Sequence, residues 1–239
     1  MMDSASSVAL SGQVARDRQM DVLANNIANL STTAFKGQQM LFAEYLGQAT
    51  GETAHYVQDA GTFRDWSQGP LNQTGNDFDV ALQGSGFFEV QTAQGIRYTR
   101  DGRLKLDAQG QLVTLDGDAV LGDGQAPIAL PQGTSSFTIG EDGSLNTPTG
   151  SAGKLTVVTF DQLQAVAAET HGLYNTDQSP SPALDTKIKQ GMVEGSNVQP
   201  ILEMTRLMAA SHAVGMTKSF QDIEANRRTT AIDRLAKTV

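Results

Sequence analysis

The sequence predicts an α+β protein with a long helix at each end of the chain and a β-rich region between them. Two observations lead to this prediction: apolar residues recur at helical spacing near both termini, and glycine-containing turns separate short apolar runs in the middle. With 239 residues, the chain is long enough for one large or two small domains with their own cores.

The first helix is predicted over residues 3–30, with Asp3 or Ser4 as its N-cap. Apolar residues spaced by three, four and three residues form the seam that would pack it: Met20, Leu23, Ile27 and Leu30. The hydroxyl groups of residues 31–33 compete for backbone hydrogen bonds, so we expect the helix to end there.

Three asparagines, Asn25, Asn26 and Asn29, crowd the last turns of this helix. Asparagine is a weak helix former because its amide competes with the backbone for hydrogen bonds. Bonds from these side chains to a neighbouring helix or subunit would explain that cost. We therefore expect them at an assembly contact.

The middle of the chain predicts a small sandwich or barrel-like β domain. Asp-Gly, a strong hairpin-turn signal, occurs at residues 101–102, 116–117, 123–124 and 142–143. The apolar runs around these turns give the candidate strands Phe78–Leu82, Phe87–Thr92, Ile96–Thr99, Leu104–Leu106, Gln111–Thr114, Phe137–Ile139 and Lys154–Phe160.

The last part of the chain predicts a helix longer than most helices of globular proteins. Residues 175–182 are polar and proline-bearing, as is typical of a linker. Ser196 or Asn197 would then cap a helix that runs towards Lys237. Residues spaced by seven form one face of it: Leu202, Ala209, Met216 and Ile223, with Ala213 and Phe220 beside them. A helix of this kind suits a bundle.

Composition and charge narrow the classes of function. The net charge is −9, and residues 50–175 carry the whole excess, with 15 acidic against 6 basic side chains. Nucleic acid is therefore an unfavourable partner, because phosphate binding needs clustered Lys and Arg. The sequence has no cysteine, no apolar run of membrane-spanning length and no signal-peptide pattern at its start. We expect no disulfide, no transmembrane segment and no cleaved signal peptide.

No motif in the sequence predicts catalysis. His55, His171 and His212 lie far apart and lack a second ligand type at metal spacing. Residues 84–86 open like a dinucleotide loop, but a strand follows them instead of a helix. We expect no catalytic residue, no cofactor, no metal site and no enzymatic activity.

Residues 24–36 read Ala-Asn-Asn-Ile-Ala-Asn-Leu-Ser-Thr-Thr-Ala-Phe-Lys. This segment resembles the N-terminal signature of the flagellar axial proteins, which form the rod, the hook and the hook junction. Every specified position agrees except Ala34, where the family usually has a glycine that would permit a left-handed turn. Further segments are similar to family motifs, namely residues 74–90, 98–102 with 107–113, and 193–198 with 203–204. Residues 211–214 depart from the family pattern.

The resemblance implies that the terminal helices form a coiled-coil-like inner domain and that the central, mostly antiparallel β domain lies outside it. On this basis we expect five parts, in chain order. They are the N-terminal helix of the inner axial domain (1–34), a connecting segment (35–60), the central β domain (61–175), a return linker (176–197) and the C-terminal helix of the inner domain (198–239).

The resemblance also implies a structural subunit of the flagellar basal-body rod, and the short chain favours the proximal rod. Such a subunit polymerises through its terminal helices into a helical tube that crosses the periplasm and transmits torque from motor to hook. Its expected partners are copies of itself, other rod proteins and, during secretion, the flagellar export apparatus. The residues expected at the assembly interface are Met20, Leu23, Asn25, Asn26, Ile27, Asn29, Leu30, Asn197, Leu202, Ala209, Met216, Phe220 and Ile223.

Three alternatives remain open from sequence. The chain could be a distal-rod or hook-type axial protein. It could be an ordinary monomer whose apolar seams pack within one chain. It could also be a periplasmic enzyme or glycan-binding module that uses the acidic β domain to act on the cell wall.

Overall fold

The structure, a computed structural model, describes the backbone of residues 2–49, 52–131 and 136–236 and the side chains of residues 11–43, 61–131 and 136–234. Two compact units are present within this part of the chain. The helical unit comprises the helices α1 (Met2–Ala28) and α2 (Pro200–Ala236) together with residues 38–65. The β unit comprises residues 31–37 and 66–197. The predicted α+β class, with terminal helices and a central antiparallel β domain, is confirmed.

The ends of the helices differ slightly from the prediction. Helix α1 begins at Met2, so Asp3 and Ser4 lie inside the helix and do not precede it. Helix α2 begins at Pro200, whose fixed φ and missing N–H suit a first helical position. The N–H of Glu203 donates to the carbonyl of Gln199 at 3.0 Å, which places the start of the helix after the predicted caps.

A long antiparallel hairpin accompanies the helices in the helical unit. It consists of β1 (Gln38–Ala49) and β2 (Glu52–Arg64), and its register pairs Gln38 with Arg64 and Ala49 with Glu52. Residues 35–60, expected as a connecting segment, thus contain strand structure. Much of β1 is built from residues without a strand preference, so the signal for it was weak.

Asn26 fixes the start of this hairpin on α1. Its side chain is 2% exposed. The amide Nδ2 donates to the carbonyl of Gln38 at 2.8 Å, and the N–H of Gln38 donates to Oδ1 at 2.9 Å. One side chain thereby satisfies both backbone groups of a strand residue, as a neighbouring strand would do.

The β unit is built from antiparallel strands. They are β3 (Leu71–Gln73), β4 (Val80–Gln83), β5 (Phe87–Thr92), β6 (Gly95–Thr99), β7 (Leu104–Leu106), β8 (Leu112–Thr114), β9 (Ala119–Val120), β10 (Thr138–Ile139), β11 (Ser144–Thr147), β12 (Gly150–Lys154), β13 (Val157–Thr159), β14 (Ala167–Ala168), β15 (Leu173–Asn175), β16 (Ser181–Pro182), β17 (Lys187–Gln190) and β18 (Met192–Glu194).

The largest sheet has the order β14-β15-β6-β5-β9-β8-β7, and β13 joins it by pairing with β5 and with β16. Smaller sheets are β10-β11-β12, β17-β4 and β18-β3. Residues 176–197, expected as a return linker, therefore contribute three strands to the β unit. Ile188 of β17 pairs with Leu82 and is buried, so this segment is part of the core.

Two apolar clusters stabilise the β unit. The larger one consists of Val80, Leu82, Phe88, Val90, Leu104, Leu112, Val120, Ile128, Leu130, Phe137, Ile139, Leu145, Leu155 and Ile188. The smaller one contains Phe87, Tyr98, Val158, Phe160, Val166 and Tyr174. Adjacent residues Phe87 and Phe88 enter different clusters because successive side chains of a strand point to opposite faces. Strand β5 thus lies between both cores.

The Asp-Gly turns have different roles. Those at 116–117 and 142–143 connect paired strands, β8 with β9 and β10 with β11, as predicted. The turn at 101–102 does not, because β6 and β7 are not neighbours in the sheet. Gly102 instead allows a close approach, since a Cβ there would lie 1.7 Å from the carbonyl oxygen of Val80.

Ala34 adopts the left-handed conformation that the sequence motif assigns to glycine. Its φ is 58°, and its N–H donates to the carbonyl of Glu194 at 2.7 Å. A residue with a Cβ is strained in this region of backbone conformation. The hydrogen bond and the burial of Ala34 hold it there.

We predict that Asn26→Ala lowers the free energy of unfolding of the helical unit by about 2–4 kcal/mol, because it leaves both backbone groups of Gln38 without their partner. Urea titration followed by far-UV circular dichroism measures this. Asn25→Ala is the matched control: Asn25 is exposed, so the better helix propensity of alanine should leave stability unchanged or raise it by about 0.5 kcal/mol. Equal effects of the two variants would contradict the assigned role.

We predict that Ala34→Gly raises the stability of the β unit by about 0.5–1 kcal/mol, because relief of left-handed strain exceeds the entropy that glycine adds to the unfolded chain. Thermal unfolding followed by tryptophan fluorescence measures it, since Trp66 lies in this unit. Ala126, exposed with a φ of −95°, provides the control. Ala126→Gly should lower stability, and a loss at both positions would refute the strain.

Candidate assembly interface on the terminal helices

Helices α1 and α2 lie side by side and run antiparallel. Hydrogen bonds between described side chains join them along their length. Arg16 Nη1 donates to Thr217 Oγ1 at 3.4 Å, and Gln221 Nε2 donates to Gln13 Oε1 at 3.2 Å. Near the other end of the pair, Asn26 Nδ2 donates to Glu203 Oε2 at 3.0 Å. Residue numbers fall on α2 as they rise on α1, which is the antiparallel order.

The face of α2 that contacts α1 combines polar and apolar residues. We call its buried and half-buried residues at alternating spacings of four and three the polar seam: Glu203, Leu207, Ala210, Val214, Thr217, Gln221 and Glu224. This is the spacing of a packed helix seam. Ala213, predicted beside the apolar face, is half-buried next to the polar seam. Glu203 and Thr217 accept hydrogen bonds from α1 and Gln221 donates one to it, so these bonds contribute specificity to the pair, while Ala210 permits close packing.

The apolar face predicted for α2 is a different one. Leu202, Ala209, Met216 and Ile223 each directly precede a residue of the polar seam, and one residue is a rotation of about 100° around a helix. The structure leaves this face open: Met216 is 69% exposed, Phe220 52% and Ile223 64%. We call Leu202, Ala209, Met216, Phe220 and Ile223 the α2 apolar stripe. No described part of the chain buries it.

The predicted residues of α1 divide into buried, half-buried and exposed positions. Leu23 is buried, and Met20, Ile27 and Leu30 are half-buried. The three asparagines likewise differ. Asn26 is buried in the contacts given above. Asn29, the first residue after α1, donates to the carbonyl of Asn25 at 2.9 Å, and the Asn25 side chain is exposed.

Asn197 lies in the β unit and not on α2. Its Oδ1 accepts from the N–H of Gly37 at 2.8 Å, and its Nδ2 donates to the carbonyl of Ser67 at 3.1 Å. These bonds join segments that are far apart in sequence. The expectation that Asn197 caps α2 is therefore wrong, because its side-chain amide binds Gly37 and Ser67 instead.

The structure also contains a buried cluster of charged side chains that was not predicted from the sequence. Glu194 Oε1 lies 2.6 Å from Lys36 Nζ, and Oε2 lies 2.9 Å from Arg100 Nε. The side chains of Lys36 and Glu194 are fully buried, and that of Arg100 is 4% exposed. We call these three residues the Glu194 cluster. A signal was present, because each of the three lies in a different motif of the resemblance.

Several other ionisable groups have a shifted pKa. Burial raises the pKa of the Glu89 carboxyl, and a hydrogen bond from Gln125 partly offsets this. Burial and the nearby Glu89 raise the pKa of the Tyr98 hydroxyl. On the surface, hydrogen bonds from Lys187 and Lys189 lower the pKa of Glu141 to about 2. Among the residues that the structure describes, no group of three or more His, Asp or Glu could hold a metal ion.

Neither of the two described helices has an apolar stretch long enough to span a bilayer.

Comparison with known protein families gives three matches along the chain. Residues 7–36 match the Flagella basal body rod protein family, and residues 81–147 match the Flagellar hook protein FlgE/F/G D1 domain. Residues 189–216 match the Flagellar basal body rod FlgEFG protein C-terminal family. The matches thus include α1, the centre of the β unit and the first half of α2.

Full-length relatives agree with these matches. The flagellar basal-body rod protein FlgF of Caulobacter vibrioides is 37% identical over 243 residues, covering 99% of this chain and 99% of the relative. FlgF of Mesorhizobium japonicum is 32% identical, with 98% of each chain covered. FlgG of Bacillus subtilis is 30% identical over 84% of this chain and 87% of its own length. The chain therefore belongs to the family of flagellar basal-body rod proteins that includes FlgF and FlgG.

Proposed function

We propose that this chain is a structural subunit of the proximal part of the flagellar rod, and that it polymerises through its terminal helices into a helical tube. The relatives named FlgF, which match over nearly the whole chain, support this subtype. In this proposal the subunit lies in the basal body, contacts copies of itself and other rod proteins, and transmits torque from motor to hook. It performs no catalysis.

The main support for this proposal is the exposure of the α2 apolar stripe. Large apolar side chains at Met216, Phe220 and Ile223 are more than half exposed and recur along one helix face. A contiguous exposed apolar surface of this kind marks an interaction site, because leaving it in water forgoes the stabilisation of burial. Since α1 occupies the neighbouring face, the stripe is open to a helix from another subunit.

The terminal helices then form a coiled-coil-like inner domain in the assembled rod. The polar seam fixes the pairing of α1 and α2 within a chain, and the apolar stripe drives the packing between chains. This division suits a subunit that is secreted before it assembles, because polar contacts specify a register without making the helices aggregate. Of the 13 residues predicted for the assembly interface, the five of the α2 apolar stripe are the ones that we propose to contact other chains.

The charge distribution supports an inner and an outer part. The excess of acidic groups falls in residues 50–175, whereas the regions of α1 and α2 are nearly balanced. Near-neutral helices can pack against many copies with little repulsion, and an acidic β domain stays hydrated. We therefore place α1 and α2 inside the tube and the β unit outside it. Export through the flagellar apparatus without a cleaved signal peptide belongs to the same proposal.

A distal-rod role is the second candidate, because relatives named FlgG also match most of the chain. The position of the subunit in isolated basal bodies separates the two. Immunogold labelling next to the inner-membrane ring supports the proximal role. Labelling only near the hook supports the distal one.

We predict that Met216→Asp blocks rod assembly and swimming but leaves the free chain folded. In the free chain the side chain is exposed, so the aspartate is solvated. In the assembled rod it would be buried without a partner, at a cost of about 3 kcal/mol or more for each contact. Complementation of an in-frame deletion strain, a swimming assay and electron microscopy of basal bodies measure assembly.

Ser211→Asp is the control for this prediction. It adds the same charge to an exposed position of the same helix, away from the stripe, so we expect swimming close to that of the unmodified chain. Circular dichroism of both purified variants checks folding. Normal rods with Met216→Asp would show that the stripe is not an assembly contact.

A further inference from the structure

The chain passes between the helical unit and the β unit at four places: after residues 30, 37, 65 and 197. Three short segments of the β unit flank these crossings, namely residues 31–37, 66–69 and 194–197. They come from distant parts of the sequence, so chain connectivity alone does not hold them together. The Glu194 cluster contacts all three.

A single carboxylate joins two of these segments directly. Glu194 Oε1 accepts from Lys36 Nζ at 2.6 Å and from the N–H of Gly69 at 3.0 Å. Lys36 Nζ also donates to the carbonyl of Ser67 at 2.7 Å. Residues 31–37 and 66–69 thus both bind the carboxylate of Glu194, which belongs to the third segment.

Arg100 attaches the same carboxylate to the β sheet. Its Nε donates to Glu194 Oε2 at 2.9 Å, while Nη1 donates to the carbonyl of Gly86 at 2.7 Å and Nη2 to that of Gly84 at 3.0 Å. These carbonyls directly precede β5, which lies between the two cores of the β unit. Arg100 is therefore held by the chain next to β5 as well as by Glu194.

Backbone contacts complete the arrangement. Ala34 N–H donates to the carbonyl of Glu194, and Asn197 N–H donates to the carbonyl of Phe35 at 3.3 Å. Gly195 N–H donates to the carbonyl of Pro70 at 2.8 Å. A Cβ on Gly69 would lie 2.1 Å from the carbonyl oxygen of Gly195, so the segments are in direct backbone contact.

We propose that the Glu194 cluster is a clamp that holds the four crossings together, so that the three connecting segments become ordered, and come apart, as one unit. A buried ion cluster adds little net stability compared with an apolar core, but removing one member leaves the others buried without a partner. Its role is therefore to make the arrangement of the crossings unique.

Hydrogen–deuterium exchange of the purified full-length chain tests the clamp without any rod. We expect Glu194→Gln, which keeps the shape but removes the charge, to raise amide exchange in residues 31–37, 66–69 and 194–197 by at least about tenfold. The increase should have a similar size in all three segments. Strands β5 and β6 should keep their protection, because their bonds do not depend on the carboxylate.

Glu141→Gln is the matched control. Glu141 also binds two cations, Lys187 and Lys189, but it lies on the surface, so its loss should leave exchange in the three segments unchanged. Lys36→Met serves as a milder variant that gives the answer should Glu194→Gln fail to fold. It removes one cation, keeps an apolar chain of similar length, and should produce the same joint increase at lower amplitude.

Two results would overturn the clamp. The first is an increase confined to the segment that carries the substitution, which would make each contact a local one. The second is an equal rise in β5 and β6, which would make Glu194 an ordinary core residue. Neither result bears on whether the chain assembles into rods, so failure of the clamp and failure of the proposed function are distinguishable.

Discussion

The fold depends on a constraint of connectivity: one chain crosses four times between a helical unit and a β unit. The segments involved are distant in sequence: Gly37 and Asn197, which are hydrogen-bonded, lie 160 residues apart. In the proposed clamp, one buried carboxylate and two cations hold these segments together. Because Arg100 is bonded to the carbonyls before β5, the crossings are positioned relative to the core of the β unit.

The two faces of α2 explain how a subunit can be both a defined monomer and a polymer. Polar side chains at heptad spacing pair it with α1, and apolar side chains one residue earlier stay in water. A protein that buried the apolar face within one chain would be more stable alone and would have less to gain from assembly. In the proposed assembly, the free chain keeps this apolar surface for its neighbours.

Periodicity and turn chemistry predicted much of the fold, because they act locally. Strands such as Phe87–Thr92 and the turns at 116–117 and 142–143 were found where alternation and Asp-Gly placed them. The hairpin β1–β2 was not predicted, because no local pattern encodes the contacts by which Asn26 binds its first residue, Gln38. The α2 apolar stripe was predicted as a helix face, but α1 covers the face that lies one residue further along α2. The spacing of apolar residues alone cannot decide which of these two faces α1 covers. The Glu194 cluster lay within recognised motifs, yet only the fold shows that they meet.

In the proposed assembly, the α2 apolar stripe is exposed in the free chain and buried between subunits in the rod. The chain has no cysteine, so Met216→Cys introduces a single thiol on the stripe. Maleimide labelling of that thiol in the purified chain and in isolated basal bodies is the most direct test. We expect rapid labelling in the free chain and protection in the basal body. Equal labelling in both would contradict this expectation.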